Sequence, residues 1–163
     1  MKTEMIIRMS QSVRLSAIME VIEISSEEFS SYLNRITGHV ITLPEEEISA
    51  AEEGDDLDDY PEWQRESILM ASDFLKNKKD YLGLPTKDDL DEYRLMEKFS
   101  LPLEDTKTSE ILYGAIKGRG AFRRFKDALH RLNLTAEWYA YREAPVRQVA
   151  IDWCELNEIN WQD

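Results

Sequence analysis

The chain has 163 residues, enough for one domain that buries roughly 70% of its unfolded surface. Its 42% hydrophobic content, with four Trp, seven Tyr and five Phe, excludes global disorder. A formal charge of −13 argues against loose nucleic-acid binding, which depends on neutralising phosphates. One cysteine, Cys154, excludes an intrachain disulfide framework and fits a reducing compartment. Met1–Arg8 is interrupted by charge, unlike a leader segment, and no run of about 18 apolar residues is present. The expected setting is the cytoplasm, with no membrane partner.

Taken in chain order, Val13–Ile24 carries Val13, Ala17, Val21 and Ile24 at helical spacing, with Ile18 and Ile22 beside them. Glu28–Asn34 reads as a strand and His39–Leu43 as its return, with Gly38 supplying the turn. Such a hairpin is marginal alone and must lie against helices. Pro44 is expected to start a polar helix ending near Gly54, and Asp55–Asp59 a solvated connector. Pro61 opens a helix whose apolar face is read as Trp63, Ile68, Ala71, Phe74 and Leu75. Asn77–Pro85 breaks the pattern, and Asp88–Phe99 and Ser109–Lys117 resume it, with Gly118 as a left-handed cap. Ala121–Leu132 follows as a helix. Thr135 is expected to cap a helix with Trp138, Tyr139 and Tyr141. Pro145 is expected to restart another, with Val146, Val149, Ala150, Trp153 and Leu156 inward. The fold class is α+β, mostly α: a multi-helix domain with a small N-terminal antiparallel β-hairpin. Residues 1–12 are expected to be an extension and 13–163 a single compact domain, with an acidic connector at about 44–62.

Charge is unevenly spread. Ten of the 33 acidic residues fall between Pro44 and Glu62, where there is no Lys or Arg. From Lys117 to Arg131 the sign reverses, and six cations stand against Asp127. That basic stretch contains Gly118-Arg119-Gly120-Ala121-Phe122-Arg123-Arg124-Phe125-Lys126. Phe122, Phe125, Leu129 and Leu132 share one helical stripe, and the plainer reading is a core stripe with the cations on a solvated face. On that reading Arg123 pairs with Asp127 four residues on. The sharper reading is a binding surface. Two glycines permit close backbone approach, the following helix offers unpaired N–H groups, and the arginines add forked donors. The candidate anion- or partner-binding residues are Lys117, Gly118, Arg119, Gly120, Arg123, Arg124 and Lys126. No G-x-x-x-x-G-K-[ST] phosphate loop is present, and the segment lacks the Asn or Gln that reads adenine.

Catalytic and metal chemistry find no pattern. His39, His130 and Cys154 have no metal-type spacing, the Asp55–Asp59 run lacks the glycine and glutamate of a calcium loop, and no G-x-S-x-G elbow occurs. Cys154 follows Trp153 on an apolar stretch and reads as a packed, unreactive thiol. No catalytic residue, metal ligand or cofactor is assigned.

Three segments carry a family resemblance. Glu27-Glu28-Phe29-Ser30-Ser31-Tyr32-Leu33-Asn34 with Thr37-Gly38-His39-Val40 is one, and Gly118–Asp127 is the most specific. Trp138-Tyr139-Ala140-Tyr141-Arg142 with Ala150-Ile151-Asp152-Trp153-Cys154 is the third. Together they resemble an uncharacterised bacterial family, number 0158 of its series, over about residues 13–160. The resemblance implies a compact domain and brings no activity with it. The sequence discloses no reaction; the expected function is a non-catalytic cytoplasmic binding or regulatory module acting through the basic-aromatic surface around Gly118–Lys126, with an acidic protein or a phosphate-bearing ligand as the candidate partner. The alternative is a phosphate-bearing ligand or RNA held at the Gly-Arg-Gly helix start; a hydrolase or transferase ranks third.

Overall fold

Alternation and one glycine build the sheet. In the computed structural model, which describes residues 12–163, β2 (Phe29–Asn34) and β3 (Val40–Pro44) pair antiparallel, with Ser31 opposite Thr42 and Leu33 opposite Val40. Gly38 turns the chain at φ +79°, and the Asn34 carboxamide oxygen accepts from the amides of Ile36 (2.9 Å) and Thr37 (3.1 Å). The hairpin does not stand alone. A short β4 (Tyr81–Gly83) pairs antiparallel with the other edge of β2, giving the order β3-β2-β4. That strand lies in the segment read as a break, because three residues show no periodicity. A second, parallel pair joins β1 (Val13–Arg14) to β5 (Trp161–Gln162). Val13 therefore belongs to a strand, and the helix read from it, α1, covers Leu15–Ile24. The extension expected at residues 1–12 lies, except for residue 12, outside the described residues.

By contact the chain divides into residues 1–86 with 150–163, and residues 87–149. In the first unit one sheet face is covered by helices. Pro44 sits just ahead of α2 (Glu45–Glu53), and Gly54 closes it at φ +71°. Alternation sends Tyr32 and Leu43 toward α3 (Glu62–Lys76). There the Tyr32 and Phe74 rings lie 4.2 Å apart, and Leu43, Ile48, Ala71 and Phe74 form a buried cluster. Trp63, expected on the apolar face of α3, is instead 76% exposed. The stripe through Ile68 and Ala71 runs back to buried Gln64, which puts Trp63 about 100° away around the helix.

The second unit contains α4 (Glu92–Ser100), α5 (Thr106–Ala115) and α6 (Ala121–Arg131). It also contains the start of α7 (Thr135–Leu156), whose last turns belong to the first unit. Its core is Met96, Phe99, Leu112, Ile116, Phe125, Ala128, Leu129 and Trp138. Phe125 meets Trp138 edge-on at 4.8 Å, and Phe99 meets Trp138 likewise at 5.3 Å. Burial of side chains this size contributes about 1.5–3 kcal/mol each. Aspartates set the helix starts. Asp91 accepts from the Arg94 amide (3.1 Å), so α4 begins four residues after Asp88. Asp105 accepts from the Lys107 amide (3.1 Å) and the Thr108 hydroxyl (2.8 Å), so α5 begins before Ser109. Those bonds, the Thr108 hydroxyl foremost, hold the Asp105 carboxyl below its usual range.

Thr135 is the first residue of α7 and not its cap; the Leu134 carbonyl accepts the Trp138 amide at 3.0 Å. Pro145 does not restart a helix but lies inside one of 22 residues. A buried stripe at spacing four, Trp138–Arg142–Val146–Ala150–Cys154, runs straight through it. Packing along that stripe outweighs the hydrogen bond that a proline removes. Leu156, two residues past the stripe, is 83% exposed.

Candidate functional site

The seven candidate residues all fall on α6 and on the turn that joins it to α5. Buried Ile116 ends α5, and the chain then passes through two left-handed positions, Gly118 (φ +78°) and Gly120 (φ +74°). Gly118 is thus not the cap itself but lies two residues beyond it. A Cβ at Gly118 would meet nothing within 4 Å, so its requirement is conformational. At Gly120 a Cβ would also crowd Arg124 Nη1 at 3.2 Å.

Arg124 explains that crowding. Its Nε donates to the Ala115 carbonyl at 3.1 Å, its Nη1 to the Arg119 carbonyl and its Nη2 to the Lys117 carbonyl. One guanidinium therefore satisfies carbonyls left open by the end of α5 and the glycine turn. It holds the turn with three of its five N–H donors. The lysines are also placed: Lys117 Nζ lies 4.8 Å from the Tyr113 ring centroid, and Lys126 Nζ lies 4.8 Å from that of Phe122.

Arg119 and Arg123 are different. Both are exposed, and neither guanidinium makes a hydrogen bond or ion pair among the described residues. The Arg123–Asp127 pair expected from the sequence does not form. The aromatic stripe is split in the same way, with Phe125 and Leu129 buried and Phe122 39% exposed. Gly120, the cap residue of α6, places no side-chain acceptor over the first-turn amides. An open cleft of about 690 Å³ runs beside the turn and is lined by Ile111, Gly114, Asp127, His130 and Arg131, among others.

Elsewhere, charged side chains make structural contacts. Arg142, 4% exposed, pairs with Glu92 and lies over Trp138. Nothing in the sequence pattern marked that pair, although Arg142 stands in a helix otherwise read for its aromatics. In the acidic stretch the Tyr60 hydroxyl donates to Asp55 at 2.5 Å. This bond, foremost, pushes the phenol up to about 12. Burial pushes the Cys154 thiol up to about 11, with Glu155 adding to the effect. Among the described residues no three His, Cys, Asp or Glu side chains are grouped to hold a metal ion. Among them, too, no helix is long and apolar enough to cross a membrane.

These features define a mostly helical α+β protein with a basic surface turn. The model of the uncharacterised protein family UPF0158 matches residues 9–162, and the chain belongs to that family. A Pseudomonas aeruginosa protein bearing the same family name is 29% identical over 129 residues, which cover 78% of this chain and 72% of the relative. No solved structure matches the chain.

Proposed function

We propose that the chain is a non-catalytic cytoplasmic binding module whose α5–α6 turn captures an acidic segment of a partner protein. The observation that carries this reading is the division of labour among the arginines. Arg124 fixes the turn, and Arg119 and Arg123 stand on it with no carboxylate among the described residues to satisfy them. Half-exposed Phe122, with Lys126 over its ring, adds an apolar contact beside them. A rigid turn presenting unpaired guanidiniums loses little entropy on meeting carboxylates. The second reading, a phosphate-bearing ligand or RNA, has its own support in the uncapped α6 N-terminus at Gly120.

The test is titration of a fluorescent Glu/Asp-rich peptide containing one Phe, beside inorganic pyrophosphate and a short RNA, at two salt concentrations. The expected result is peptide binding that weakens with salt and is lost in Arg119→Glu/Arg123→Glu at unchanged Tm. Peptide binding that survives the double variant overturns the reading. Binding of pyrophosphate or RNA without peptide moves the function to the second one.

A further inference from the structure

The sheet face carrying Tyr32 packs against α3; on the other face Leu33 is buried, but a cavity remains toward Phe29. Alternation along β2 puts Phe29 and Ser31 opposite to Tyr32, and Thr42 shares their face because it pairs with Ser31. On this side α1 contributes Val21 and Ile24, and the residue after β4 contributes Leu84. Between them lies an open-mouthed cavity of about 370 Å³, within the range of small-molecule sites, about 300–1,000 Å³. Val21 and Leu84 form buried wall, whereas Ile24 (60% exposed) and Phe29 (44% exposed) stand at the rim.

We propose that this cavity binds a neutral small molecule with an apolar body and one hydroxyl group. The lining itself selects against charge. In a chain that is 33% charged, no Asp, Glu, Lys or Arg among the described residues lines the cavity. An ion entering it would lose water and gain no counter-charge from them. The lining also selects against a purely apolar ligand. The Ser31 and Thr42 hydroxyls lie 2.8 Å apart and share one hydrogen bond, in which either can be the donor. Two hydroxyls sharing one bond leave one O–H and spare lone pairs for a third group. A ligand hydroxyl both donates and accepts, so it completes this pair. A hydrocarbon would cover the pair and leave it unsatisfied. The backbone beside it is already engaged, since the Leu84 amide donates to the Ser31 carbonyl at 3.0 Å.

The probes are 2-phenylethanol, its hydrocarbon counterpart ethylbenzene and its anionic counterpart phenylacetate. Each is titrated into the full chain while the amide resonances of Ser31, Thr42 and Leu84 are followed by NMR. The alcohol is expected to shift these resonances saturably and to bind about fivefold tighter than either counterpart, a difference typical of one hydrogen bond. Ser31→Ala/Thr42→Val should erase the preference for alcohol over ethylbenzene while both still bind. Ile24→Asn, at the exposed rim, should weaken both neutral probes at unchanged Tm. The proposal is overturned if the three amides do not respond saturably to the alcohol, or if phenylacetate or ethylbenzene binds as tightly. It is equally overturned if the alcohol preference persists in the double variant, or if Ile24→Asn, still folded, binds as before.

Discussion

Two segments of the second unit carry arginines in family-like motifs, and the structure puts them to opposite uses. On α7, Arg142 is drawn inside, stacked over Trp138 and paired with Glu92. On the α5–α6 turn, Arg124 stays at the surface and closes the backbone, while Arg119 and Arg123 remain without partners among the described residues. The same side chain thus serves as a core ion, a loop clamp and an available donor. Local density of charge does not identify a site; what each guanidinium already holds does.

The largest expected effect is at the core ion. Glu92→Gln or Arg142→Met should lower stability by about 3–5 kcal/mol in urea unfolding, since each breaks an ion pair whose arginine side chain is only 5% exposed. The double variant should recover most of that loss. A loss near that of an exposed pair, below about 1 kcal/mol, would erase the contrast between the two segments. Next comes the clamp. Arg124→Ala should cost about 1–2 kcal/mol, less than the core pair because water can replace its bonds. Its mark should be faster hydrogen exchange confined to Lys117–Arg124.

The two available arginines sharpen the comparison from the other side. Arg119→Glu/Arg123→Glu should change stability by no more than about 0.5 kcal/mol while removing acidic-peptide binding. The smallest effect lies at the far end of the α7 stripe. Cys154 has a folded pKa raised from 9.0 to about 11, so above pH 9 the unfolded chain sheds this proton first. Stability from this group is complete below pH 9 and is lost as pH rises toward 11. Cys154→Ala should flatten that part of a pH series of melting curves.

The sequence made the helical class and the β2–β3 pairing legible, because Gly38 and the flanking apolar strands are strong local signals. It did not reveal β1, β4 or β5, which are two or three residues long and shorter than any period. Helix starts slipped where aspartates compete: Asp88, Asp89 and Asp91 all suit a cap, and only the Arg94 amide selects Asp91. A proline marks a helix start correctly where it lies just outside the helix, as at Pro44 and Pro61. It misleads at Pro145, where a tertiary stripe overrides the local signal. At the candidate site the sequence placed the seven residues on one turn and the helix that follows it. It could not sort them, because whether an arginine points to solvent or back onto three carbonyls depends on the turn that the glycines make.

The β1–β5 ladder has a consequence for the order of assembly. It joins Val13 to Trp161 and Arg14 to Gln162, two pairs separated by nearly the whole chain. The Arg124 clamp closes a segment of nine residues. Closing a long loop costs more entropy than closing a short one, and two residue pairs return little to offset it. On loop closure alone, the clamp is expected among the early contacts and the ladder among the last. A contact made that late is expected to slow unfolding rather than speed folding, so breaking the Val13–Trp161 pairing should raise the unfolding rate at an unchanged refolding rate.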